Sequence, residues 1–563
     1  MEPRVLHLHT YFLFPFSVDK EAVLEDHRWL WSKHPDWFHG LDEWIAAHRR
    51  NPIAAQLGAW QRATYTTFHM ESPAYHDMVF FHPFVRRVFF DAQDPTLAGH
   101  EQDSLLNCYT IPLDGKKVRF GAEDQKGRKA VVDVTDLRLF LFANGIGILS
   151  IGVEAFRVTA SDALWINEMM RKVYPSSGRQ LREGRAPCRV WIGVENGEAE
   201  QIVAEERFET GSLIAYQPPL AKTITSLLYF TNYNRQEFEP VLDERMIVYS
   251  YAAIDPTSVP EDFVGSRDYQ VLLSCFLFVD QYARDFRYDP DFTLQAMQAA
   301  LYRRWAHQGT YYGFTSYSNI SVTLGVFDCD AHTLQEGFLV HRMFRTRYYL
   351  IAAISLFYRA TLLDFAERAA LVSKYVHQDQ ADGELSPQNI QLTNNLRADF
   401  LHFTNYWFFD ELANKDEEME HFHMQCQAYR LLAMKSESEQ EIEKLNASLI
   451  EYYQTQSAVA VNRLAMLSMV LGAGAVITGY FGMNFAREFG KYFFDPDSTA
   501  SALLHYGMIA LVTIFAVGAL AFVFFLVVAN WKDYRHILIP GRRSGAGQAH
   551  SLRRGPTNYK RGA

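Results

Sequence analysis

Three groups of residues in this 563-residue chain are of the types and spacings that do chemistry. His7-Leu8-His9 and His421-Phe422-His423 each set two imidazoles two residues apart. On a strand that spacing puts both on one face, where they could offer two nitrogen ligands to zinc. Neither pair has a third ligand nearby in sequence, and histidines in this pattern serve more often as ordinary strand or surface residues. Carboxylates cluster at Asp379/Asp382/Glu384, at Asp416/Glu417/Glu418/Glu420 and at Glu437/Glu439/Glu441/Glu443. Each cluster is either an oxygen-ligand set for a hard cation or, more commonly, a solvated helix face. Asn484 closes Gly482-Met483-Asn484 at the end of an uncharged run. A neutral amide there either caps a helix or hydrogen-bonds a hydrated cation. The chain contains no P-loop, no GxSxG and no HExxH, which argues against an ATP-driven pump and leaves no catalytic constellation. The expectation is that it is not an enzyme.

The uncharged run Leu464–Met483 is about 20 residues long, enough for a helix to cross roughly 30 Å of hydrocarbon. A second run, Gly507–Ala529, follows after a short loop. Beyond Trp531 the tail carries eight Lys/Arg (532, 535, 542, 543, 553, 554, 560 and 561) against Asp533 alone. The positive-inside tendency places that tail in the cytoplasm. Two spans then put both termini on that side and the loop outside. Tyr480, Phe481, Tyr492 and Tyr506 suit one interfacial belt, and Trp531 and Tyr534 the other.

The rest of the chain reads as water-soluble protein. Net charge is −11, so removing a tail of net +7 leaves a body near −18. An acidic body argues against nucleic acid as a partner. The five cysteines (108, 188, 275, 329 and 426) form no CxxC and are odd in number, which suits a reducing compartment. The N-terminal stretch reads as a strand, not a signal peptide, because His7 and His9 interrupt its apolar run.

These segments predict an α+β chain. Residues 1–334 form an N-terminal cytoplasmic α/β domain. Its strands are expected at Val5–Phe14, Met78–Phe81, Val85–Phe90, Val118–Phe120, Ala130–Val134, Leu137–Phe142, Ile146–Val153 and Ser321–Val326. Asn144-Gly145 makes a tight hairpin turn, since both residues tolerate φ > 0. Helices are expected at Ser161–Val173, Asp268–Arg284 and Asp291–His307. Residues 335–463 hold three long helices, the first at Gln335–Gln378 and the second at Gln388–Met434. A turn at Lys435–Ser438 precedes the third, a stalk that enters the bilayer unbroken. The first transmembrane helix is 464–485, the external loop 486–506, the second transmembrane helix 507–530 and the basic tail 531–563. Tyr348–Leu363 is apolar but carries Arg359 in its middle, which favours a buried soluble helix.

Gly-Tyr-Phe-Gly-Met-Asn-Phe (residues 479–485), a short acidic loop, a second span and a basic tail, all behind a mixed domain and long helices, resemble the CorA-type divalent-cation channels. The resemblance covers roughly 335–540. It implies a homopentamer in the cell (inner) membrane that passes Mg²⁺, with Co²⁺ or Ni²⁺ tolerated, and needs no cofactor beyond the ion itself. It also implies a selectivity filter at Gly482, Met483 and Asn484, and a pore face at Gly479, Ala475, Gly472, Ser468 and Leu464, with Val461 and Ala458 nearer the cytoplasm. Many members carry a bulky hydrophobe in this run where this chain has Gly472, so Leu464 is the remaining hydrophobic constriction. Lys532 and Arg535 are expected near the inner mouth. Alternatives are zinc transport of the ZntB kind and a membrane-anchored sensor or scaffold without transport.

Overall fold

The computed structural model describes residues 2–28, 37–63, 78–90, 105–196, 199–209, 220–242, 244–280, 288–325, 335–382 and 385–482, with isolated positions from 507 to 525. The chain divides into two compact units, Met1–Glu443 and Lys444–Ala563. The first is mixed α+β, and its described residues form one 13-stranded sheet.

The strands in chain order are β1 (Arg4–Val18), β2 (Gln61–Ala63), β3 (Leu106–Thr110), β4 (Lys117–Asp124), β5 (Lys129–Phe142), β6 (Ile146–Thr159) and β7 (Pro187–Asn196). They continue with β8 (Ala199–Arg207), β9 (Phe238–Pro240), β10 (Ile247–Ile254), β11 (Leu301–Tyr302), β12 (Thr310–Phe314) and β13 (Ser318–Leu324). The main path runs β11-β12-β13-β10-β1-β6-β5-β4-β7-β8. Pairing is antiparallel except for β10 beside β13. A parallel pair needs a crossover, and the helix Arg267–Phe278 lies within it.

Strand β1 is central, flanked by β10 and β6. Its side chains alternate between two buried layers. Leu8 and Phe12 join the core containing Leu164 and Trp165 of α1 (Ala160–Met170). His9 and Tyr11 face the opposite way, against Phe344 and Tyr349. Those two residues belong to α2 (Gln335–Arg345) and α3 (Arg347–Asp382).

The β5–β6 hairpin turns through Ala143-Asn144-Gly145, as the Asn-Gly pair predicted. Gly145 has φ +102°, and its carbonyl accepts from the Val18 amide at 2.8 Å. The Asn144 amide donates to Thr361 Oγ1 of α3 at 2.9 Å, so the turn also docks a helix.

The stretch Val340–Asp379 is long and apolar enough to cross a membrane, and it alone among the described residues. In this chain 78% of its apolar window is buried. Tyr349 donates to Ser150 Oγ at 2.8 Å, and Phe357 stacks on Phe142 at 4.0 Å. Arg359, the charge within the apolar run, donates to the Ser316 carbonyl and lies over the rings of Tyr317 and Tyr429.

Several boundaries differ from expectation. Val85–Phe89 is helical, within Pro83–Phe89 with Phe90 as its C-cap, because Pro83 supplies a preorganised first helical residue that outweighs β-branched and aromatic content. Met78–Phe81 forms no strand, Phe81 making only an isolated bridge to Ala413. The helix expected at Asp291–His307 stops at Ala300, where Leu301 and Tyr302 pair with β12. The second long helix is broken into α4 (Pro387–His402) and α5 (Asp416–Tyr429). A further helix, α6, runs from Leu431 to Gly482 without interruption. The Lys435–Ser438 turn is therefore a helix interior, as a segment without Gly or Pro permits. Arg430 alone separates α5 from α6, with φ +57°. Its amide donates to the carbonyls of Cys426 and Gln427. Helices α2 to α5 lie in the same unit as the sheet, with α3 packed on β1 and β6, α5 on β12 and α4 on α3, and the change of unit falls within α6.

Gly152 stands opposite Tyr11 in the β1–β6 ladder. A Cβ there would meet Tyr11 Cε1 and Thr135 Oγ1 at 2.9 Å each. Tyr11 is held in place by full burial. Gly152→Ala should therefore cost about 1–3 kcal/mol through overpacking, read as a lowered denaturant midpoint at unchanged m-value.

Candidate metal centre

On the helix-covered face of β1, His7 and His9 sit two residues apart. The register sets Glu154 of β6 directly across from His9. Helix α2 brings His341 over the pair. The four side chains offer ligand atoms that all lie within 4.8 Å of one another. His9 Nδ1 is 2.9 Å from His341 Nε2 and 3.0 Å from Glu154 Oε1. His7 Nε2 is 3.2 Å from the same carboxylate oxygen, and His341 Nε2 is 4.0 Å from it.

His9 is fully buried, whereas the side chains of His7 and Glu154 are 17% and 20% exposed, so the cluster opens to solvent on that side. The second nitrogen of His9, Nε2, lies 3.4 Å from Thr135 Oγ1. Phe156 stacks on His7 at 4.7 Å, and Tyr251 and Phe344 pack on His341.

Burial pushes the His341 imidazole down to about 3, and the neighbouring His7, His9 and Arg345 add to the effect. Burial also lowers His9, against the opposing pull of Glu154. For Glu154, burial favours the neutral acid, but the hydrogen bonds with His7 and His9 override it and hold the carboxyl well below the usual range. The cluster at neutral pH thus combines neutral imidazoles at His9 and His341 with an anionic carboxylate. That is the protonation state a borderline-soft cation requires of its ligands.

The His421-Phe422-His423 pair does not form a comparable group. It lies on α5, not on a strand, so its two histidines diverge. His421 is enclosed by the rings of Tyr302, Tyr312, Phe314 and Tyr348. Burial pushes its imidazole down to about 3, with a smaller contribution from Arg304. A small cavity beside it is lined by Asn319, Ser321 and Gln425 among others.

The acidic clusters are taken up largely by local contacts. Glu417 accepts from Tyr348 at 2.8 Å and from Trp305 at 2.9 Å. Glu418 is buried against Arg347 at 2.7 Å, and Glu420 accepts from Tyr302 and pairs with Arg304. Asp379 accepts from the Ser386 amide and the Asn389 side chain, both at 2.7 Å. Glu437 and Glu443 pair with Arg430 and Arg397.

Of the residues expected to line a pore, Leu464, Ser468, Gly472, Ala475 and Gly479 all lie exposed on α6, and Gly482 is its last residue. At 100° per residue, all six fall within an arc of about 80°. Met483, Asn484, Lys532 and Arg535 lie outside the described residues. Sequence reading singled out His7 and His9 but missed Glu154 and His341. The separations of 147 and 332 residues leave no local signal. Only the β1–β6 register and the docking of α2 bring them in. No family model, curated protein or solved structure matches the chain.

The buried His421 gives a pH signature. Its folded pKa of about 3 lies below the value of about 6.5 it would have unfolded. The unfolded chain binds more protons between those limits, so this contribution to stability is complete above pH 6.5 and is lost as pH falls towards 3. Urea unfolding between pH 7 and 4.5 should show His421→Phe flattening the decline by up to about 1.4 kcal/mol per pH unit.

Proposed function

We propose that this chain is a CorA-like divalent-cation channel or transporter, with Mg²⁺ as its principal ion and Co²⁺ or Ni²⁺ also accepted. The observation that carries the reading is α6, a 52-residue helix that reaches Gly482 without a break. Its apolar end exposes Leu464, Leu467, Met469 and Leu471, each 46–69% accessible in the single chain. Lipid and further copies of the same helix are the surroundings that suit such a surface. A Cβ at Gly472 or Gly479 would meet nothing within 4 Å, Ala475 between them is exposed, and the stripe is narrow enough to face an axis.

In this reading several copies, five by the resemblance, surround a wet path, and a second span at 507–530 packs outside. Both termini are cytoplasmic. Asn484 from each copy forms a collar of neutral amides at the outer mouth. Mg²⁺ surrenders its water reluctantly, and amide oxygens can hydrogen-bond the first hydration shell without stripping it. A ring of carboxylates would hold the ion longer, and conduction needs weak sites. The membrane potential supplies about 2.3 kcal/mol per charge per 100 mV, doubled for a divalent ion.

Purified protein in liposomes with an imposed inside-negative potential should take up Mg²⁺, and Asn484→Ala should abolish most of that flux while leaving the oligomer intact by light scattering. A monomeric wild-type protein, or flux indifferent to Asn484, would overturn the reading.

A further inference from the structure

We propose that His7 Nε2, His9 Nδ1, His341 Nε2 and Glu154 Oε1 form a four-coordinate site for a transition-metal cation of the Zn²⁺ class, seated between the central sheet and helix α2. A tetrahedral zinc with ligands at about 2.0–2.1 Å has ligand–ligand edges of roughly 3.3 Å. Four of the six ligand–ligand separations are 2.9, 3.0, 3.2 and 4.0 Å and none exceeds 4.8 Å, so closing the tetrahedron means drawing in its longest edges.

Three imidazoles and one carboxylate oxygen suit Zn²⁺, Co²⁺, Ni²⁺ and Cu²⁺, whereas Mg²⁺ and Ca²⁺ prefer oxygen alone. The outer shell is present as well. Thr135 Oγ1 stands at the distal nitrogen of His9, where it fixes ring orientation. The partly exposed His7 and Glu154 provide the way in, and the fully buried His9 the floor. With all four positions taken by protein, the site is closed and holds no place for a substrate water, which makes it structural or regulatory. Its ligands come from β1, β6 and α2, so an ion would tie the sheet to the helix that precedes α3. All four belong to the unit Met1–Glu443, and the inference does not depend on the transport reading.

The test uses untagged, full-length protein in detergent, stripped with chelator. Zn²⁺ titrated in competition with a chromophoric chelator should bind at one equivalent per chain. Co²⁺ should give the intense visible absorption of a tetrahedral site, displaced by Zn²⁺ and indifferent to millimolar Mg²⁺. Glu154→Gln, which keeps the side chain's size, and His341→Ala should each weaken Zn²⁺ binding by roughly 100-fold or more, and Thr135→Ala by about 10–100-fold. Circular dichroism of each metal-free variant reports folding, and if His341→Ala fails to fold, Glu154→Gln decides. Weak octahedral Co²⁺ absorption, no stoichiometric Zn²⁺, or equal affinity in wild type and Glu154→Gln would overturn the site. Mg²⁺ flux is measured separately, so loss of one result leaves the other legible.

Discussion

The fold depends on burying one strand on both faces. Strand β1 has sheet neighbours on both edges and helix layers above and below, so any polar side chain it carries must find a partner inside the protein. Thr10 meets Asn167 of α1 at 2.8 Å on one face. On the other, His9 meets Glu154 and His341. The hydrogen-bonding need of one interior histidine therefore gathers a carboxylate and a further imidazole from distant parts of the chain. Packing and the candidate metal centre have the same origin.

The helix layer is fastened to the sheet by a second set of polar contacts, and these explain where much of the acidic charge goes. Glu417, Glu418 and Glu420, all on the first turns of α5, meet Trp305, Tyr348, Arg347, Tyr302 and Arg304. Acidic residues at a helix N-terminus are favoured by the unpaired amides there. The same residues then accept hydrogen bonds from aromatic side chains of β11 and α3. A run that reads in sequence as a solvated face is in large part an interior fastening.

What was legible in the sequence was local. The Asn144-Gly145 turn and the strands on either side of it follow from backbone freedom and alternation over a few residues. The apolar Tyr348–Leu363 stretch reads correctly as interior because a mid-run arginine is costly in lipid and can be satisfied in protein. The readings that differ are those where a tertiary contact decides. Pro83 starts a helix in a segment of strand-like composition, and pairing with β12 ends another at Ala300. Strand β10, Ile247–Ile254, escaped notice even though all eight of its residues are buried. A short run buried on both faces, with Ser250 as its one non-aromatic polar residue, has no period to distinguish strand from helix. The candidate centre was half visible: the His-x-His spacing is a local signal, whereas Glu154 and His341 are supplied by register and docking, which no short window contains.

Arg430 joins α5 to α6 without a linker. A left-handed backbone at a non-glycine residue costs about 1–2 kcal/mol, and here two carbonyls of the preceding turn hold it in place. The junction behaves as an elbow with no slack. A shift of α5 against the sheet cannot be absorbed by intervening coil and passes as rotation into the first turns of the long helix. How firmly those first turns are held is thus set by the grip on α5 of the Tyr302 and Tyr348 hydroxyls, the Trp305 indole and the Arg347 guanidinium.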